Sequence, residues 1–186
     1  MTLTDRLHAA ADRFAETGRP PEARTLTRAE ARRVQAAFGG ALPLDDVRFV
    51  SGSGRSAMAA MAFRKGNPAI TIGRTVYFKP GHYRPDFAAT PEGVALLVHE
   101  CTHVVQYGRM GYARFFARYG IDLCRCGFSP TRLYHFDKRA TVFATETLEG
   151  QAEMAGTLAY QHEVGGDGTV RRELERRMAG SRIFGL

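Results

Sequence analysis

The most constraining feature of the chain is a polar cluster set inside an apolar helix. Thr90-Pro91-Glu92 is a helix start: a capping hydroxyl, a proline whose missing N–H is harmless there, then an acid near the positive dipole end. The helix it opens should run to Tyr107. It carries Val94, Leu96, Leu97, Val98, Cys101, Val104 and Val105, so it is apolar nearly all round and belongs inside the protein. The same stretch nevertheless holds His99-Glu100-Cys101-Thr102-His103. Three polar groups there are costly unless something satisfies them. Residues four apart lie one above the other on a helix face. Two imidazoles so placed can grip one Zn²⁺. Glu100 projects beside them and can take the proton of a water attacking a polarised carbonyl. Chance gives roughly 0.01 occurrences of this His-Glu-x-x-His pattern in a chain of this composition. Cys101, two positions from His99, points away from the ligand face.

A catalytic zinc site usually has three protein ligands and an open position. The pattern with a third histidine six residues after the second, and glycine halfway, is excluded because Arg109 and Gln106 stand there. The other common choice is a glutamate on a later helix. A helix is expected from about 141 to 162, and Glu146, Glu149 and Glu153 stand on it at i, i+3 and i+7. The simplest arrangement takes Glu149 as ligand, with Glu153 accepting the outward N–H of a ligating histidine. The bland alternative is a solvated acidic face.

Composition excludes several other classes. The chain has 186 residues, 44% hydrophobic and 24% charged, as a packed single domain does. Cys101, Cys124 and Cys126 are too few for a disulfide scaffold. The longest aliphatic run, Val94 to Val98, is far short of a membrane span, and the first twenty residues lack an apolar signal-peptide core. The expected compartment is the cytoplasm on synthesis, with export open to a route that needs no signal peptide. The net charge of +7 comes from 23 Arg against 3 Lys. Such a balance favours polyanions without identifying one. Tyr112, Phe115, Phe116 and Tyr119 lie among the arginines at helical spacing, which reads as a packed face rather than a base-stacking platform, so nucleic acid is not the expected partner.

The expected organisation is an N-terminal helical arm over 1–22, a central domain over 23–165 and a basic C-terminal helix over 166–186. In the centre, Thr27-Arg28-Ala29-Glu30 reads as a capping box opening a helix to Phe38, stopped by Gly39-Gly40. Short strands are expected over 47–50, 69–72 and 75–78, with a brief helix over 55–62. A helix over 111–119 precedes an irregular stretch over 120–138.

The segments Ile72-Gly73-Arg74-Thr75-Val76-Tyr77-Phe78, Gly81-His82-Tyr83-Arg84-Pro85-Asp86 and Leu96-Leu97-Val98-His99-Glu100-Cys101-Thr102-His103-Val104-Val105-Gln106 form a compound signature. It resembles the core domain of extracellular contractile injection systems, a family of small metallopeptidases. The likeness covers about residues 44 to 107 and the later glutamate helix, where Glu149-Gly150-Gln151-Ala152-Glu153 is similar to the family's ligand helix. The resemblance implies an α+β, zincin-like fold: a small sheet packed on a buried His-Glu-x-x-His helix, followed by a glutamate-bearing helix. It implies one catalytic Zn²⁺ held by His99, His103 and Glu149, with Glu100 as general base. The expected activity is peptide-bond hydrolysis by a bacterial effector or toxin, with a peptide or protein substrate and an injection apparatus as partner. The alternative is a non-catalytic, zinc-stabilised cargo or docking domain of an injection-type particle. Cys101 replaces the family's usual bulky aliphatic residue.

Weaker signals are set aside. Gly52-Ser53-Gly54-Arg55-Ser56-Ala57 matches a loose dinucleotide fingerprint, but no acid lies between Asp46 and Asp86 to hold a ribose. His82, His135, His162, Tyr134 and Tyr160 are candidates to stabilise an oxyanion. Tyr134 and His135, just ahead of the glutamate helix, come first among them.

Overall fold

A computed structural model describes residues 23–165 and 168–186. The expected arm over 1–22 lies outside the described residues. Three strands form one sheet: β1 (Arg48–Ser51), β2 (Ala69–Ile72) and β3 (Thr75–Phe78), in the order β1-β3-β2. β1 runs parallel to β3, with Phe49 opposite Val76. β2 and β3 make an antiparallel hairpin pairing Ile72 with Thr75 across Gly73-Arg74. Gly73 has φ +62°, and the Tyr112 hydroxyl occupies the space a Cβ would take. The outer edge of β1 is covered by a backbone bridge between Arg24 and Phe49. β2 forms the other edge.

The sheet is two-faced because side chains alternate along a strand. Phe49, Val76 and Phe78 enter the main core, where Phe78 stacks on Phe87 at 4.4 Å. Val50 and Tyr77 face the other way, onto Ala59 of the short helix α2 (Ala57–Arg64). Helix α1 (Arg28–Phe38) begins with the capping box read from the sequence. Its Glu30 is fully buried and accepts from Thr27 N, the Arg24 guanidinium and Phe87 N, so one carboxylate ties the helix start to the loop beyond the sheet.

Helix α3 (Pro91–Arg125) crosses the core through Leu97, Val98 and Cys101. It is broken once, at Gly111, with φ +69° and ψ 168°. That conformation is essentially restricted to glycine. Past the break the chain folds back, and Phe115 stacks on Tyr107 at 3.8 Å. The expected helix over 111–119 thus extends to Arg125, six residues into the stretch read as irregular. Arg118 and Asp122 form an i,i+4 pair there, which supports the helix through Gly120. Helix α4 (Pro130–Tyr134) is a single short turn.

Helix α5 (Leu148–Val164) starts seven residues later than the expected 141. Phe143–Thr145 form a 3-10 turn, and the true cap is Thr147, whose side chain accepts from Gly150 N. Glu146 therefore precedes the helix rather than sharing its acidic face. α5 lies close against α3: a Cβ at Gly156 would stand 2.8 Å from the Ala95 carbonyl oxygen and 3.3 Å from the His99 Cβ. Helix α6 (Thr169–Met178) is basic, and its Leu174 and Met178 join the main core. The result is an α+β chain, mostly helical, with one three-stranded sheet among the described residues.

Candidate metal centre

The close approach of α3 and α5 brings two imidazoles and a carboxylate together. His103 Nε2 lies 3.2 Å from Glu149 Oε2, and His99 Nε2 lies 3.6 Å from the same oxygen. One ligand atom from each of the three residues falls within 4.8 Å of the others. Donors about 2.0–2.2 Å from a tetrahedral ion stand roughly 3.3–3.6 Å apart. Both distances to Glu149 are close to that separation, and the donor types suit Zn²⁺. Two imidazoles with one carboxylate also match the usual three-ligand catalytic set.

The polar groups inside this apolar helix find partners on α5, on β2 and in Gln106. Burial opposes charge on His99, but Glu149, Glu153 and Glu100 outweigh it and raise the imidazole to about 10. Burial also opposes charge on His103, and Glu149 again wins, so its pKa rises too. For Glu149 itself, burial is outweighed by His103 and His99, which hold the carboxyl far below its usual range.

Around the three donors lies a shell that fixes their orientation. His99 Nδ1 stands 3.2 Å from Glu153 Oε2. His103 Nδ1 stands 2.8 Å from Gln106 Oε1. The Gln106 amide in turn donates to the Leu148 carbonyl and to Gln151 Oε1, so it bridges the histidine helix to the start of the glutamate helix. The sequence reading missed this role for Gln106. Its position one turn after His103, on the same face, was the available signal. Partners of this kind hold ring orientation and tautomer. Gln106→Ala should weaken zinc affinity about 10–100-fold while leaving the fold intact, measured by competition with a chromogenic chelator.

Glu100 is buried beside the three donors, and its Oε2 accepts from Thr71 Oγ1 at 2.7 Å. Thr71 also escaped the sequence reading. The hint was a hydroxyl on the inward-facing positions of β2. Tyr134 stacks on His99, with ring centres 6.2 Å apart. Burial, and the Glu149 carboxylate that hydrogen-bonds it, push its phenol up, so it remains an O–H donor. His135 stands apart: it is half-buried, and its Nδ1 lies 3.6 Å from Asp137. Two clefts meet at the site, and both are lined by His99, Glu100 and Tyr134.

Residues 25–111 match the family model of the eCIS core domain. The likeness read from the sequence holds there: the match spans the sheet and the histidine-bearing half of α3. Glu149 lies beyond the matched residues. A search of curated proteins gives no match. Among solved structures, the effector domain of Pseudomonas aeruginosa VgrG2b is similar, with a TM-score of 0.57 and 16% sequence identity over 93% of this chain and 93% of that one. At that identity the likeness is one of fold. Among the described residues no helix is long and apolar enough to cross a membrane.

Proposed function

We propose that this protein is a zinc-dependent peptidase of zincin-like fold, acting as an effector domain associated with an injection apparatus. The observation that carries the reading is the convergence of His99, His103 and Glu149 on one point, with Glu100 buried beside it and open clefts to either side. His99, His103 and Glu149 would hold the ion. Bound there, zinc supplies Lewis acidity that lowers the pKa of water and polarises a carbonyl. Glu100 takes the proton of the attacking water and delivers it to the leaving amine. The Thr71 hydroxyl holds the Glu100 carboxylate in position for that transfer. Tyr134, kept protonated, is placed to donate to the developing oxyanion. The backbone of β2, the edge strand beside the site, offers an extended peptide a row of hydrogen-bonding groups.

The family match also favours a second reading, a zinc-stabilised cargo or docking domain without turnover. The two differ in one measurement. The purified chain should contain about one zinc and cut a proteome-derived peptide library; a chelator should stop cleavage, and zinc should restore it. His103→Ala should lose both metal and cleavage. Zinc without cleavage of any peptide would favour the second reading, and a chain that takes up no zinc would end both.

A further inference from the structure

Two clefts open at the site, and they share Lys65, Asn67, Ala69, His99, Glu100 and Tyr134. One, of about 590 Å³, adds Ala95, Leu96, Glu153, Thr157 and Tyr160. The other, of about 230 Å³, runs from His103 and Glu149 between α2 and the folded-back half of α3. Its rim carries Met58, Met61 and Phe116, which are 38%, 47% and 41% exposed. These are three of the eight large apolar side chains that stand exposed among the described residues, and they gather on one cleft. Its floor is closed by the stacked pair of Tyr107 and Phe115.

The arrangement has definite local causes. Met58 and Met61 are three residues apart on α2, which spends its other face, Ala59 and Ala62, on burial. Phe116 and Tyr119 reach the site because the Gly111 break turns the second half of α3 back over the first. Solvent contact with grouped large apolar side chains is unfavourable, and a cluster of them beside reactive groups marks a binding surface. The cavity is smaller than the roughly 300–1,000 Å³ of a pocket for a whole small molecule. It suits one bulky side chain.

We infer that the Met58–Met61–Phe116 cleft receives a large apolar side chain of a peptide substrate, at a position flanking the bond to be cut. The inference rests on the peptidase reading and names its substrate class. Continuity with the site selects this occupant, because the cleft shares His99, Glu100, His103 and Glu149 with the candidate metal centre. Methionine side chains are flexible and polarisable, so the cleft adapts to several shapes. It favours Phe, Leu, Met or Ile, which cover Met58, Met61 and Phe116, over small polar side chains, which leave that apolar wall in water.

Two measurements on the full, zinc-loaded chain test this. The first maps cleavage sites in a proteome-derived peptide library by mass spectrometry. Large apolar residues should dominate one flanking position. Met61→Glu and Phe116→Glu should lower kcat/KM for those peptides about tenfold or more, the factor that burial of one such side chain gives. Ile121→Lys, an equally exposed site outside the cleft, should leave the profile unchanged. The second uses immobilised Glu100→Gln protein, whose metal ligands are untouched. It should retain peptides rich in Phe, Leu and Met over Ser- and Asn-rich ones of the same length, and Met61→Glu in that background should remove the enrichment. Cleavage that depends on Glu100 but shows no apolar preference would overturn this inference and leave the peptidase reading standing. Absence of cleavage would strike the peptidase reading; unbiased retention would then remove this inference as well.

Discussion

Glu100→Gln should reduce peptide cleavage by at least 10²–10⁴-fold, the range a positioned general base contributes, while zinc content and thermal stability stay near those of the parent. The expectation follows from how Glu100 is held. It is buried beside the candidate ligands without being one of them, and it rests on Thr71 Oγ1 at 2.7 Å. Glutamine has the same shape and keeps an oxygen to accept from Thr71. It cannot take a proton from water. Removing Glu149 or His103 would instead lose the ion and confound chemistry with binding. The comparison needs three readings on one preparation: zinc per chain, unfolding temperature and rate. A variant that keeps zinc and full activity would show that another group moves the proton. Thr71→Val makes a companion, because it leaves the carboxylate unsupported and should cost a smaller factor in kcat than the loss of the base.

The parts of this site that were legible in the sequence were those fixed within one element. The spacing of His99 and His103 is a property of a single helix, and the polar cluster in an apolar surrounding signals a compensating group by itself. The Thr27–Glu30 capping box and the β2–β3 hairpin were equally local. Glu149 could be placed because it lies on a later helix with a partner, Glu153, four residues on. What was missed depends on tertiary packing. The Gln106 bridge exists because α5 begins beside it. The start of α5 was misplaced because Thr141, Thr145 and Thr147 are all plausible caps, and only packing against Asp122 and Arg139 selects Thr147. Phe115, Phe116 and Tyr119 were read as one packed face. All three line the cleft instead: Phe115 is buried in its floor, and Phe116 stands exposed at its rim.

The same misplaced helix start conceals the most heavily bonded carboxylate of the later half. Glu146 is 1% exposed. Its Oε1 accepts from Arg139 Nε at 2.9 Å and from Thr147 N at 2.7 Å, and its Oε2 accepts from Thr141 Oγ1. Its side chain lies over Gly150, where an added Cβ would stand 2.7 Å from Oε1. Its carbonyl accepts from Arg118, which also holds Asp122 against the N-terminus of α5. Glu146 thus anchors the first turn of the helix that carries Glu149. Breaking a fully buried ion pair costs about 3–5 kcal/mol, and the partial exposure of Arg139 lowers that to about 2–4 kcal/mol for Glu146→Ala. For a chain of this size the unfolding temperature should drop by about 4–16 °C. Zinc affinity should fall with it, because Glu149 loses its support. The pH dependence has a definite sign. Burial favours the neutral acid, but Arg139, Thr141 and the Thr147 N–H outweigh it and hold the Glu146 carboxyl below its usual 4.5. A lowered folded-state pKa gives stability that is fully present above the unfolded value and is lost as pH falls through the folded one. The gap in unfolding temperature between the parent and Glu146→Gln, both measured with chelator present, should therefore be constant from about pH 7 to pH 5 and close below about pH 4. A gap that persisted unchanged into acid would mean that shape, rather than the charge of Glu146, sets the start of the glutamate helix.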